Sequence, residues 1–195
     1  MLTYWSGIVD ENDLCYLGGM PGEMMDLVGL RSEEIDALYD GEYNGVVMEK
    51  ENALGMSGSY TSSELMDRIK VSTAEVLGRY QTDFYAGEPC LTVNTYGKGK
   101  VYYIASKNDM AFLRDFYRVL RMQTGVANEF EGCLPYGVAA GVREDEENRY
   151  VVFQNYGDQA IVKLTKSYKD LQTDACIGGT LMLGKNQIAV LYRRK

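Results

Sequence analysis

Histidine is absent from this 195-residue sequence. That removes the base that usually activates serine and cysteine nucleophiles, and with it the commonest nitrogen ligand for zinc. Cysteine is scarce and scattered: Cys15, Cys90, Cys133 and Cys176 lie roughly 43 to 75 positions apart, with no CxxC pair. They read as structural or incidental thiols, and nothing calls for an oxidising compartment. Neither a metal nor a cofactor site is expected. No window approaches the roughly 20 apolar residues of a membrane helix, and no basic segment leads into an apolar one at the N-terminus. Positive charge is also short, with 20 Lys and Arg against 28 Asp and Glu, a net charge of -8. Such a chain repels phosphate backbones and anionic lipid alike, so neither nucleic acid nor a membrane is an expected partner, and the chain reads as soluble and cytoplasmic.

What is present is ample material for packed cores: 46% of residues are hydrophobic and 11% aromatic. The length suits one large domain or two small ones. Leu2 to Trp5 reads as a buried strand running into a loop at Ser6-Gly7, and a core strand at the very start suggests preceding structure that is left out. Glu23 to Val28 has the pattern of a short helix stopped by Gly29. From Ile35 to about Tyr103 the chain reads as mainly extended, with strands at Val46 to Met48, Met66 to Val71, Glu75 to Tyr80, Leu91 to Val93 and Val101 to Ile104. Gly97-Lys98-Gly99 makes Cys90 to Ala105 a hairpin. Asn108 or Asp109 can cap a helix in which Leu113, Phe116, Tyr117 and Leu120 recur at helical spacing, ended by Gly125. Around Asn128 to Pro135 the pattern changes to short strands with polar turns, and the boundary is placed there. Strands are expected near Gly137 to Val142, Arg149 to Gln154, Ala160 to Leu164, Thr180 to Leu183 and Gln187 to Tyr192.

Asp10, Glu11 and Asp13 cluster after the first strand, where they could form an acid and base pair or a cation site, or simply a loop that hydrogen-bonds its own backbone. Glu144 to Glu147 reads as a solvated hairpin tip. Gly97-Lys98-Gly99-Lys100 is too short for a phosphate cradle and is followed by a strand rather than a helix. Ser57-Gly58-Ser59 lacks both the full nucleophile-elbow pattern and a histidine partner. Among the aromatics, Trp5, Phe84 and Tyr85 could touch sugar, could lie in a subunit contact, or could fill a core. The residues singled out for possible sugar or subunit contact are Trp5, Asp10, Glu11, Phe84 and Tyr85.

Several segments in order carry a resemblance. Thr3 to Asp13 (TYWSGIVDEND), Gly18 to Gly22 (GGMPG), Ser32 to Leu38 (SEEIDAL), Asp83 to Gly87 (DFYAG), Tyr96 to Ser106 (YGKGKVYYIAS) and Phe112 to Tyr117 (FLRDFY) resemble family 42 glycoside hydrolases, the bacterial β-galactosidases. The resemblance implies an α/β fold over residues 1–130, a strand-rich partial domain of amidotransferase-like or flavodoxin-like type, followed over 131–195 by a small all-β antiparallel sandwich. It implies a trimerisation role, hence a homo-oligomer, and a catalytic (β/α)8 barrel as partner in the full-length protein. In the family that barrel carries two glutamates about 5 Å apart that cleave terminal β-galactosides with retention. No catalytic residue is carried over to this chain, and no activity is expected from it alone. The alternative from another class is a free-standing carbohydrate-binding or protein-interaction module.

Overall fold

The computed structural model describes residues 1–126, 130 and 132–195, so the expected boundary at residues 130 and 131 touches Glu131, which lies outside the described residues. The chain forms two compact units, Met1–Gly125 and Val126–Lys195. No described helix is long and apolar enough to cross a membrane.

The first unit contains strands β1 (Leu2–Thr3), β2 (Leu30–Ala37), β3 (Asn44–Met48), β4 (Ser59–Val71), β5 (Glu75–Tyr80), β6 (Pro89–Tyr96), β7 (Gly99–Ile104) and β8 (Ser106–Asn108), with helices α1 (Met25–Val28) and α2 (Met110–Thr124). Hydrogen bonding runs in the order β1-β7-β6-β5-β3-β4-β2, and β8 pairs with β4. Only Ala105 separates β7 from β8, so the two act as one bent strand, bonded to β6 at one end and β4 at the other. The circuit β7-β6-β5-β3-β4-β8 therefore closes, leaving β1 and β2 as additions beside it.

Every described pairing in this unit is antiparallel except β1 with β7, where Leu2 lies opposite Tyr103. The mainly extended reading of residues 35–103 holds, and the strand-rich α/β domain that the resemblance implies takes the form here of an antiparallel circuit. The reason is local: β6 follows β5 after residues 81–88, and β7 follows β6 after Gly97 and Lys98. Connections that short can join only antiparallel neighbours, because a parallel pair needs a crossover of a dozen or more residues.

The hairpin of β6 and β7 forms with Tyr96 opposite Gly99 and Gly97 at φ 57°. Helix α2 begins where the sequence places it: Asp109 is its N-cap, its carboxylate accepting the Phe112 N–H at 2.7 Å, and Gly125 closes it in the left-handed conformation. Its buried stripe is turned by one residue from the expected one. Phe112 and Phe116 are fully buried against Met48, Leu77, Leu91, Tyr102 and Ile104, whereas Tyr117 is half exposed. Helix α1 ends at Gly29 (φ 67°), where a Cβ would sit 2.5 Å from Thr73 Oγ1 and 2.7 Å from Asn94 Cγ. Asn94 explains the crowding, since its amide donates to the Asp26 and Leu27 carbonyls at 3.2 and 3.0 Å and so covers the helix end.

The second unit is an antiparallel sandwich. One sheet has the order β13-β12-β15-β10-β9, built from β9 (Val138–Glu144), β10 (Asn148–Asn155), β12 (Tyr168–Asp170), β13 (Cys176–Ile177) and β15 (Ile188–Arg194). The other is the pair β11 (Ala160–Lys163) and β14 (Thr180–Leu183). Alternate residues of the larger sheet, Val151 and Phe153 on β10 and Ala189 and Leu191 on β15, meet Val162, Leu181 and Leu183 of the smaller one in a single apolar core. This is the period-two burial of a half-covered sheet.

Candidate interface surface

After Thr3 the chain leaves its strand. The Tyr4 N–H still donates to the Ile104 carbonyl at 2.6 Å, but Trp5 adopts φ 59° and turns the chain outward. The loop that follows is held by its own polar groups. Asp10 Oδ1 accepts the N–H groups of Asn12 and Leu14 at 2.8 and 3.0 Å, Val9 bridges to Cys15, and Met20 bridges to Ser32 of β2. Gly22 lies under the Tyr16 ring, where a Cβ would come within 2.4 Å of it.

With the backbone fixed in this way, apolar side chains remain outside: Trp5 is 61% exposed and Leu17 99%, and Val9 and Leu14 are exposed as well. Four exposed apolar side chains along one hydrogen-bonded loop suit a contact surface, since burying them against a partner would remove apolar area from water. Asp10 serves as the turn-former of this loop, as the self-bonding alternative anticipated. Glu11 is exposed beside it, and among the described residues no group of three His, Cys, Asp or Glu could hold a metal ion.

Phe84 and Tyr85 share a turn but part company. Asp83 (φ 66°) accepts the Phe84 N–H at 2.6 Å, and from that turn Phe84 points outward, 68% exposed, with the Arg68 guanidinium 4.9 Å from its ring centre. Arg68 is itself held by Glu34 at 2.6 Å and by both oxygens of Glu88 at 3.1 and 2.6 Å. Tyr85 is 1% exposed, packed with Val46, Met66, Tyr80 and Cys90, its ring edge-on to Tyr80 at 5.1 Å. Its candidacy for sugar or subunit contact is therefore corrected: the ring belongs to the core. Trp5, Asp10 and Glu11 lie on one loop and Phe84 on another, and among the described residues no hydrogen bond, ion pair or ring contact joins the two loops.

Sequence reasoning passed over Asp67. This β4 carboxylate is 1% exposed and accepts the Tyr103 hydroxyl at 2.5 Å, while the Tyr80 hydroxyl donates to the Ala105 and Asp67 carbonyls at 2.9 and 3.2 Å. Burial pushes the Asp67 carboxyl up to about 6, against the opposing pull of the Tyr103 hydroxyl and the Trp5 backbone N–H. The signal available in the sequence was its position: within the strand read at Met66 to Val71, alternation sets Asp67 on the same side as Ile69, which is buried. The acid thus sits beneath the base of the exposed loop, with backbone from Trp5 as one of its neighbours.

Comparison with known proteins gives this surface a context. Residues 1–127 match the model of the β-galactosidase trimerisation domain. β-Galactosidase Pbg of Clostridium perfringens is 46% identical over 177 residues, 91% of this chain and 25% of its own length. β-Galactosidase BglY of Alicyclobacillus acidocaldarius is 44% identical over 195 residues, 99% of this chain and 28% of its own. The crystal structure of the β-galactosidase from Rahnella sp. R3 superposes with a TM-score of 0.84 at 41% identity, covering 99% of this chain and 28% of that one. The chain thus spans about a quarter of the length of these relatives, and it belongs to the family 42 β-galactosidases, corresponding to their trimerisation domain and the residues that follow it.

Proposed function

We propose that this chain is the non-catalytic assembly portion of a β-galactosidase, a cytoplasmic enzyme that hydrolyses terminal non-reducing β-D-galactosides by a retaining mechanism on a separate barrel. In this reading Met1–Gly125 is the strand-rich second half of an amidotransferase-like trimerisation module, and the sandwich that follows is structural support. The parallel pairing of β1 with β7 supports the relation to an α/β parent.

The observation that carries the proposal is the hydrogen-bonded loop that keeps Trp5, Leu14 and Leu17 exposed at the start of a unit matched to a trimerisation domain. Exposed apolar side chains on a preordered backbone lose little conformational entropy on docking, which is what a subunit contact requires. Light scattering of the purified chain at several concentrations tests it. A dimer or trimer that dissociates on Leu17→Asp is expected, whereas a monomer at every concentration would sink the assembly role. Turnover of a chromogenic galactoside above background by the chain alone would overturn the non-catalytic reading.

A further inference from the structure

In the second unit, β15 runs on after one of its neighbours has stopped. β12 pairs with it only at Lys169 opposite Tyr192 and Asp170 opposite Leu191, while β10 stays paired as far as Arg194. One edge of Arg193–Arg194 is therefore left without a strand beside it, and a cavity of about 590 Å³ opens there. That volume is in the range of small-molecule sites. Its lining includes Ser167, Tyr168, Lys169, Tyr192, Arg193 and Arg194, and Glu147 is the one carboxylate among the lining residues.

In a chain with a net charge of -8, a lining with three cations and one acid is a local reversal. Not all of that charge is neutralised nearby. Lys169 is matched by Asp174 at 3.1 Å, which also accepts the Tyr192 hydroxyl at 2.7 Å. Glu144, whose field reaches Arg193, already holds Arg149 at 3.0 Å and Lys195 at 3.1 Å. Arg193 and Arg194 make no ion pair among the described residues. The Arg193 Nη1 donates to the Arg194 carbonyl at 3.2 Å, and its Nε is buried with no hydrogen-bond partner. A guanidinium N–H out of water without an acceptor is costly, and its fork fits the paired oxygens of a carboxylate or phosphate.

We propose that this cavity is a binding site for a small oxyanion, the carboxylate or phosphate of a compact metabolite, gripped by the Arg193 guanidinium with help from Ser167. Tyr168, on the same face of the sheet as Arg193, supplies the apolar part of the wall for the body of the ligand. The inference does not depend on the assembly role.

Calorimetric titration of the 195-residue chain at constant ionic strength, with galacturonate, inorganic phosphate and galactose as probes, decides it. Saturable binding of galacturonate or phosphate, with galactose at least about tenfold weaker, is expected. Galacturonate alone assigns the site to carboxylates, and phosphate alone to phosphates. Arg193→Gln should weaken binding about tenfold while the thermal transition is retained, and Arg193→Lys should recover part of the loss because it restores charge but not the fork. Failure of both anions to saturate, galactose binding as tightly as galacturonate, or unchanged affinity in Arg193→Gln would each overturn the site. Should Arg193→Gln not fold, Ser167→Ala, at an exposed position of the lining, carries the test, and affinity within about twofold of the parent would be equally fatal.

Discussion

The two units fix their strands by different means. In the first, seven polar residues are buried, among them Asn44, Asp67, Asn94 and Ser106, and the pairings of β2, β4, β5 and β6 include register shifts. In the second, Asn155 is the one buried polar residue among those described, and β10 pairs without a shift along both β9 and β15. The contrast is larger than the difference in length between the units. Where strands alternate cleanly, a slip of one residue would turn the apolar face to water, so burial alone sets the register. Where bulges interrupt alternation, specific polar groups take over that task. Asn44 shows how: its side chain accepts from the Thr82 N–H at 3.0 Å and the Thr82 hydroxyl at 2.9 Å and donates to the Thr82 carbonyl at 3.0 Å, locking β3 to the chain beyond β5.

The sharpest way to break this comparison is to remove apolar volume from the unit that depends on it. Phe153→Ala, at a fully buried position in the sandwich core, should cost about 3 to 5 kcal/mol. Tryptic cleavage after mild heating should then fall within Val126–Lys195 first, and equal protection of the two units would contradict a burial-only register.

Next in size is Asp67. Its folded-state carboxyl titrates near 6, above the ordinary 3.8, so the buried charge costs stability in full above about pH 6, and the cost is relieved as the pH falls through 6 towards 4. Asp67→Asn should therefore raise stability at pH 7 by about 3 kcal/mol or less and flatten the pH dependence between 4 and 7. Urea melts at three pH values check this, and a variant with the parental slope would remove Asp67 as its source.

The smallest effect sharpens the picture of the first unit's polar fastening. Asp109 caps α2 and also accepts the Thr61 N–H and hydroxyl at 2.8 Å each, tying the helix to β4. Asp109→Ala should cost about 1 to 2 kcal/mol by thermal melting, and more than an ordinary cap because Thr61 loses its partner as well.

These same differences explain what could be read in advance. The sandwich strands β9, β10, β11, β14 and β15, the hairpin around Gly97 and the cap and stop of α2 are local patterns of period, turn and cap that stand in the sequence, whereas the short β12 and β13 were not read from it. Closure of the first unit does not, since it depends on β4 meeting β8 some 40 residues further on, and no periodicity encodes which distant strand completes a circuit. The fate of Phe84 and Tyr85 was hidden for a related reason: they follow Asp83 at positive φ, in a turn where neither a helical nor an extended period assigns faces. The Trp5 loop was legible only in part, since Leu2 to Trp5 reads as a buried strand whereas Trp5 is 61% exposed, and the cavity beside Arg193 arises from where β12 stops, which only the folded register reveals.

The bent strand formed by β7, Ala105 and β8 has a consequence for the way the molecule opens. A sheet with a free border can fray from that border inward, one strand at a time. Around the closed circuit no member can peel away without breaking two ladders together, and β4 is held by β3 and β2 as well as by β8. In deuterium exchange, amides near Met66 and Asp67, where the Asp67 N–H donates to the Ala105 carbonyl at 2.7 Å, should be among the last to be replaced, and should yield only when the whole first unit unfolds.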